Sequence, residues 1–162
     1  MIVYCKENEH NMYLVAANLI ASQILKKPGS VFGIIGDFDE HEQITSILGG
    51  WARAGYLDFS QASIIEYEER ESFQSDVDLL FFGICDKTEI PRLYECYQAI
   101  KNSDQVLAVA CGKENAHKVR SIFEEHVLSE NPAAIVQSHE NVILVGEKTA
   151  LSGLSKTGKW YY

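Results

Sequence analysis

Short, mainly apolar runs recur along the chain at Ile2–Cys5, Val31–Ile35, Ala62–Ile65, Leu79–Ile84, Val106–Ala110 and Asn141–Val145. Runs of this length read as strands covered on both faces, the strongest of them over Val77–Ile84. Between them the apolar positions fall three to five apart, the helical spacing. Val15, Leu19, Ile20, Ile24 and Leu25 form one such stripe after Glu7-Asn8-Glu9-His10, with Lys26-Lys27 suiting its end and Pro28-Gly29 stopping it. Ile44, Ile47, Leu48 and Trp51 form a second, opened by Asp37 or Asp39 and closing near Ala54-Gly55. Pro91 opens a third with Leu93, Tyr94, Tyr97 and Ile100, and a fourth runs from Glu114 to about Val127 with Val119, Ile122 and Phe123 inward. Asn131-Pro132 begins a connecting segment, and Asn141–Val145 reads as the last strand. Strands and helices alternating in this way predict right-handed crossovers and an α/β fold, a doubly wound, mostly parallel sheet with helices on both faces.

At 162 residues the chain is expected to form one domain, with residues 152–162 as a C-terminal tail. The tail is polar until Trp160-Tyr161-Tyr162, aromatics expected to fold back onto the body or make a contact. A composition of 46% hydrophobic and 23% charged residues is that of a globular protein. The net charge of -9 opposes electrostatic attraction to nucleic acid or to an anionic membrane, so neither is expected as a partner. Cys5, Cys85, Cys96 and Cys111 show no metal spacing, and the opening residues lack a signal-peptide layout. No run approaches the length of a membrane span. A cytoplasmic protein with reduced thiols is the resulting expectation.

In an open parallel sheet, ligands bind beyond the carboxyl ends of the strands. Here those ends lead into Gly36-Asp37-Phe38-Asp39-Glu40, Glu66-Tyr67-Glu68-Glu69, Cys85-Asp86-Lys87-Thr88-Glu89 and Cys111-Gly112-Lys113-Glu114. These turns carry carboxylates where phosphate chemistry would want glycines and cations. Asp37, Asp39, Glu66, Glu68 and Glu89 could in principle share a hard cation, but they come from separate strands without loop-type spacing, and no metal is expected. No cofactor is expected either.

Taken in order, these segments resemble the glucosamine-6-phosphate deaminase/isomerase family, related to the 6-phosphogluconolactonases. The stretch Asn131-Pro132-Ala133-Ala134-Ile135-Val136-Gln137-Ser138-His139-Glu140-Asn141-Val142 is similar to the family's P-A-S-x-L-Q-x-H-x-x-V segment, and it is the specific part of the likeness. Val106–Gly112 with Ala116 resembles the family's strand, G-x-x-K-A turn and helix. Val31–Phe59 can be laid along its phosphate-loop strand and helix, and Leu79–Ile90 along the strand leading into G-I-G-x-x-G-H-I. The chain is shorter than a family enzyme, mainly after Ile90, where the family carries its lid, and to a lesser extent after Glu71. The resemblance implies a Rossmann-like, sugar-phosphate-isomerase-like fold.

Against that pattern every reactive position differs. Asp37, Phe38 and Asp39 stand in the family's T-G-G-T-P phosphate loop. A carboxylate roughly 5 Å from a phosphate opposes it by about 1–3 kcal/mol. Glu68 takes the place of the family's proton-transferring aspartate and Glu89 that of its ring-opening histidine. Cys85 falls on a glycine, Lys87 on an acidic residue, and Asn115 on a phosphate-contacting lysine, with Lys113 and Lys118 nearby. For Gln137 and His139 the expected role is hydrogen bonding that orders the last strand.

The resulting expectation is a catalytically degenerate relative, a pseudoenzyme serving as a binding or interaction module for a sugar-type molecule, with a homo-oligomer possible in principle. Its candidate ligand-binding residues are Gly36, Asp37, Phe38, Asp39, Cys85, Gly112 and Lys113. The alternative is an active isomerase or deaminase using Glu68 and Glu89 as its catalytic pair, their pKa values separated by burial.

Overall fold

The computed structural model describes residues 1–36, 39–67, 76–85, 93, 95–125, 134–155 and 158–162, with the backbone alone at 39–41 and 134. Its strands are β1 (Ile2–Lys6), β2 (Val31–Ile35), β3 (Ser63–Tyr67), β4 (Leu79–Ile84), β5 (Val106–Ala110), β6 (Val142–Glu147) and β7 (Lys159–Tyr161). They form one sheet in the order β3-β2-β4-β5-β6-β1-β7, and every pairing is parallel. The helices are α1 (Glu9–Lys26), α2 (Asp39–Arg53), α3 (Tyr97–Asn102), α4 (Ala116–Phe123) and α5 (Ala134–Ser138), with a 3-10 turn at Lys113–Asn115. All residues of β4 and β5 are buried, which agrees with helices on both faces.

Right-handed crossovers put α1 and α2 on one face and the connections between β4, β5 and β6 on the other. From β2 the chain winds outward to β3, whereas from β4 it winds the opposite way to β5. The direction changes between β2 and β4, and a crevice at such a switch point is the place for a ligand. Gly36 and Cys85 stand at its two lips.

Four expectations from the sequence are corrected. The buried residues of α1 are Met12, Ala16, Ala17, Ala21 and Ile24, while Leu25 is 67% exposed. Alanines carry the inward face because α1 lies across β1, β5 and β6 and also packs on α2, so its backbone must come close. Around α3 the inward residues are Leu93, Cys96, Ala99 and Ile100, and Tyr97 is 37% exposed. β3 runs on through Glu66 and Tyr67, which pair with Ile34 and Ile35 instead of forming the turn. Finally, β6 is not the last strand: the tail returns as β7, parallel to β1, with the Tyr4 and Tyr161 rings stacked at 5.1 Å. The segment after residue 133 also supplies the short helix α5.

The amino ends of the strands are tied by side chains. Asp78, only 7% exposed, accepts from the Val31 N–H at 2.8 Å and from the Lys27 ammonium. At the next junction His139 takes both roles an imidazole offers. Asn141 N–H donates to its Nδ1 at 3.1 Å, so the proton sits on Nε2, which donates to the Ser103 carbonyl at 2.9 Å. Gln137 donates to the Ile122 carbonyl at 3.0 Å and to that of Glu125 at 3.2 Å. His139 thus fixes the residue that leads into β6, close to the role expected of it, whereas Gln137 holds the end of α4 instead of a strand. His139→Ala should lower unfolding free energy by about 1–2 kcal/mol, read from urea denaturation, since two backbone groups lose a partner. An unchanged midpoint would refute that role.

Candidate functional site

The carboxyl ends of the strands gather the candidate positions. Gly36 follows β2 with φ 94°, a left-handed turn that favours glycine and lets the chain reverse into α2. Asp39 is the first residue of α2, so it stands within the first turn. Asp37, Phe38, Glu68 and Glu89 lie outside the described residues. Of the expected ligand-binding set, the structure thus places Gly36, Cys85, Gly112 and Lys113 along one edge of the sheet, after β2, β4 and β5.

Around β5 the polar groups are turned upon one another. Gly112, with φ 80°, donates its N–H to the Glu147 carboxylate at 3.2 Å. A side chain at Gly112 would collide with the Glu114 carboxylate. Lys118 reaches back from α4 and donates to the Cys85 carbonyl at 2.7 Å, bridging the ends of β4 and β5. Lys113 opens the 3-10 turn and is exposed. Asn115 is 2% exposed, and its amide donates to the Cys111 carbonyl at 2.9 Å. Among the described residues its Oδ1 has no hydrogen-bond partner.

Glu147 is the residue that the sequence did not single out. It ends β6, and Ala110 of β5 faces Gly146, so the next residue of each strand meets at the turn. The register of two parallel strands was the missing signal. Reading the strand as closing at Val145 left the carboxylate outside it. Farther along the edge Lys148 and Glu7 form an exposed pair at 3.1 Å. Among the described residues no cluster of His, Cys, Asp and Glu could hold a metal ion. No described helix is long and apolar enough to cross a membrane.

Chemically, the β5 turn offers an anion one backbone N–H, but a carboxylate of the protein already accepts from it. The nearest buried position to that turn carries a neutral amide instead of a cation.

No protein-family profile matches the sequence. A glucosamine-6-phosphate deaminase of Lactococcus lactis subsp. lactis (strain IL1403) is 38% identical over 58 residues, 36% of this chain and 25% of that protein. The glucosamine-6-phosphate deaminase of Oceanobacillus iheyensis is 25% identical over 114 residues, 65% of this chain and 44% of that protein. A solved monomeric glucosamine-6-phosphate deaminase superposes with a TM-score of 0.75 over 95% of this chain and 100% of that one, at 15% identity. The chain is similar in sequence to glucosamine-6-phosphate deaminases over part of its length and shares their fold. The 6-phosphogluconolactonase of Trypanosoma cruzi shares the fold, with a TM-score of 0.64 at 10% identity over 95% of this chain and 97% of that one. By sequence the chain spans only a quarter to under half of these curated deaminases' length.

Proposed function

We propose that this chain does not turn over sugar phosphates and acts as a binding or interaction module. The observation that carries the reading is the Gly112 N–H held by Glu147. A bound phosphate would have to displace that carboxylate and then sit beside it, against a Coulomb cost of about 1–3 kcal/mol at 5 Å. Asn115, standing where the family resemblance puts a lysine, adds no compensating charge, and Lys118 is committed to the Cys85 carbonyl. The carboxylates Asp37, Asp39, Glu68 and Glu89 in the neighbouring turns push the same way.

Thermal-shift titration with glucosamine 6-phosphate and an ammonia-release assay test this directly. The expected result is no specific stabilisation and no release. Stabilisation by several degrees would contradict the exclusion of sugar phosphates, and ammonia release abolished by Glu68→Gln and Glu89→Gln would establish the active-enzyme alternative.

A second expectation follows from the Glu147 contact. In Glu147→Ala the Gly112 N–H is open, and millimolar inorganic phosphate should raise the melting temperature by about 2 °C more than in the parent chain. Equal shifts in the two proteins would remove Glu147 as the group that occupies the anion position.

A further inference from the structure

An apolar pocket of about 310 Å³, open to solvent on one side, lies between α1, α2 and strands β2 to β4. Ile20, Phe32, Ile34, Ile44, Leu48 and Phe81 form much of its wall. It reaches the edge strand at Ile64, which also lines it and is 59% exposed. The volume falls at the small end of ligand pockets, and its apolar lining suits an apolar molecule.

Two features of α2 say what should enter. The first is Gly49, which lines the cavity from within the helix, next to Gly50. Glycine inside a helix costs stability relative to alanine. Yet a Cβ at Gly49 would meet only the Arg53 guanidinium, at 3.4 Å, and one at Gly50 would meet nothing within 4 Å. Packing inside the protein therefore does not require the glycine that keeps this wall thin. The second feature is that guanidinium. Arg53 is exposed, stands one turn beyond Gly49 with its guanidinium next to that lining residue, and has no ion-pair partner among the described residues. In a chain of net charge -9 such a cation beside an apolar opening is complementary to an anion carrying an apolar tail. α2 runs back from the carboxyl ends of the strands, so Arg53 sits at the amino-end side of the cavity, away from Glu66.

We propose that the cavity binds a medium-chain carboxylate, its tail among the isoleucines and phenylalanines and its head paired with Arg53. The site is independent of the crevice reading above and stands or falls separately.

Titration of the whole chain with sodium decanoate, followed by methyl NMR, tests it. Saturable shifts are expected at Ile20, Ile34, Ile44 and Ile64. Arg53→Gln should weaken binding about fivefold, the scale of one exposed ion pair. Gly49→Leu should fill the space and abolish binding, while Gly50→Ala, with the same gain in helix propensity, should leave affinity unchanged and raise the melting temperature by about 2–4 °C. Should Gly49→Leu not fold, Gly49→Ala against Gly50→Ala makes the same comparison with a partial loss. Absence of saturable shifts at these methyls, or unchanged affinity in both Arg53→Gln and the Gly49 variants, overturns the proposal.

Discussion

Asp78→Ala should lower the unfolding free energy by about 2–4 kcal/mol, one of the two largest effects anticipated for a single side chain here. The carboxylate is buried at the amino end of β4 and accepts from the Val31 N–H of β2 and from Lys27. Removing it strands the Val31 N–H without an acceptor, whereas Lys27, largely exposed, returns to water at little cost. The same carboxylate sets an acid limit. Burial alone would raise its pKa, but the Lys27 hydrogen bond, the Val31 N–H and the Lys27 charge outweigh burial and hold it below the ordinary 3.8. A depressed carboxyl contributes stability that is complete above 3.8 and lost as the pH falls through the lowered value. Lys27 is pushed above its ordinary 10.5 by its hydrogen bond to Asp78, so at the alkaline end the pair outlasts a free lysine. Urea denaturation of the parent and the variant across pH 2–7 checks both points. The gap between them should narrow only below about pH 4. A gap that stays constant down to pH 2 would contradict this account.

Gly33→Ala should be almost as damaging, at about 1–3 kcal/mol. A Cβ there would lie 2.7 Å from Leu80 Cδ1 and from Tyr67 Cε2, with Val77 Cγ1 at 3.1 Å. These groups come from β4, β3 and the residue leading into β4, all of them buried. None is a flexible tip that could swing into solvent, so the sheet itself must give. Because Tyr67 ends β3 beside the crevice, the substitution should also disturb the carboxyl edge, and NMR shifts should spread from position 33 to Gly36 and Cys85. Wild-type stability in Gly33→Ala would show that the glycine is dispensable.

Much of this architecture could be read from hydrophobic patterning, and the failures have identifiable causes. The runs Val31–Ile35 and Val106–Ala110 became strands at the expected bounds, and the strand expected over Val77–Ile84 begins at Leu79, because strands covered on both faces announce themselves as continuous apolar stretches. The edge strands were less legible. β3 exposes Ser63, Ile64 and Glu66, so its apolar run is short and its end was placed two residues early, and β7, with just three residues, shows no run at all. The face of α1 was misread because small residues lie inward wherever backbones approach closely, and alanine weighs little in a hydrophobic stripe. The places of Gly36, Cys85, Gly112 and Lys113 just beyond strand ends were legible because strand ends can be located one at a time. Glu147 was not, because its meaning depends on which strand is its neighbour, and chain order places β5 and β1 around β6 only after folding.

Gln137 and His139 make up the most distinctive part of the family likeness, and they grip main-chain carbonyls at the end of the sheet remote from the crevice. A signature of that sort tracks ancestry and says nothing about turnover. Assigning a reaction to a chain found by it requires looking at the opposite rim.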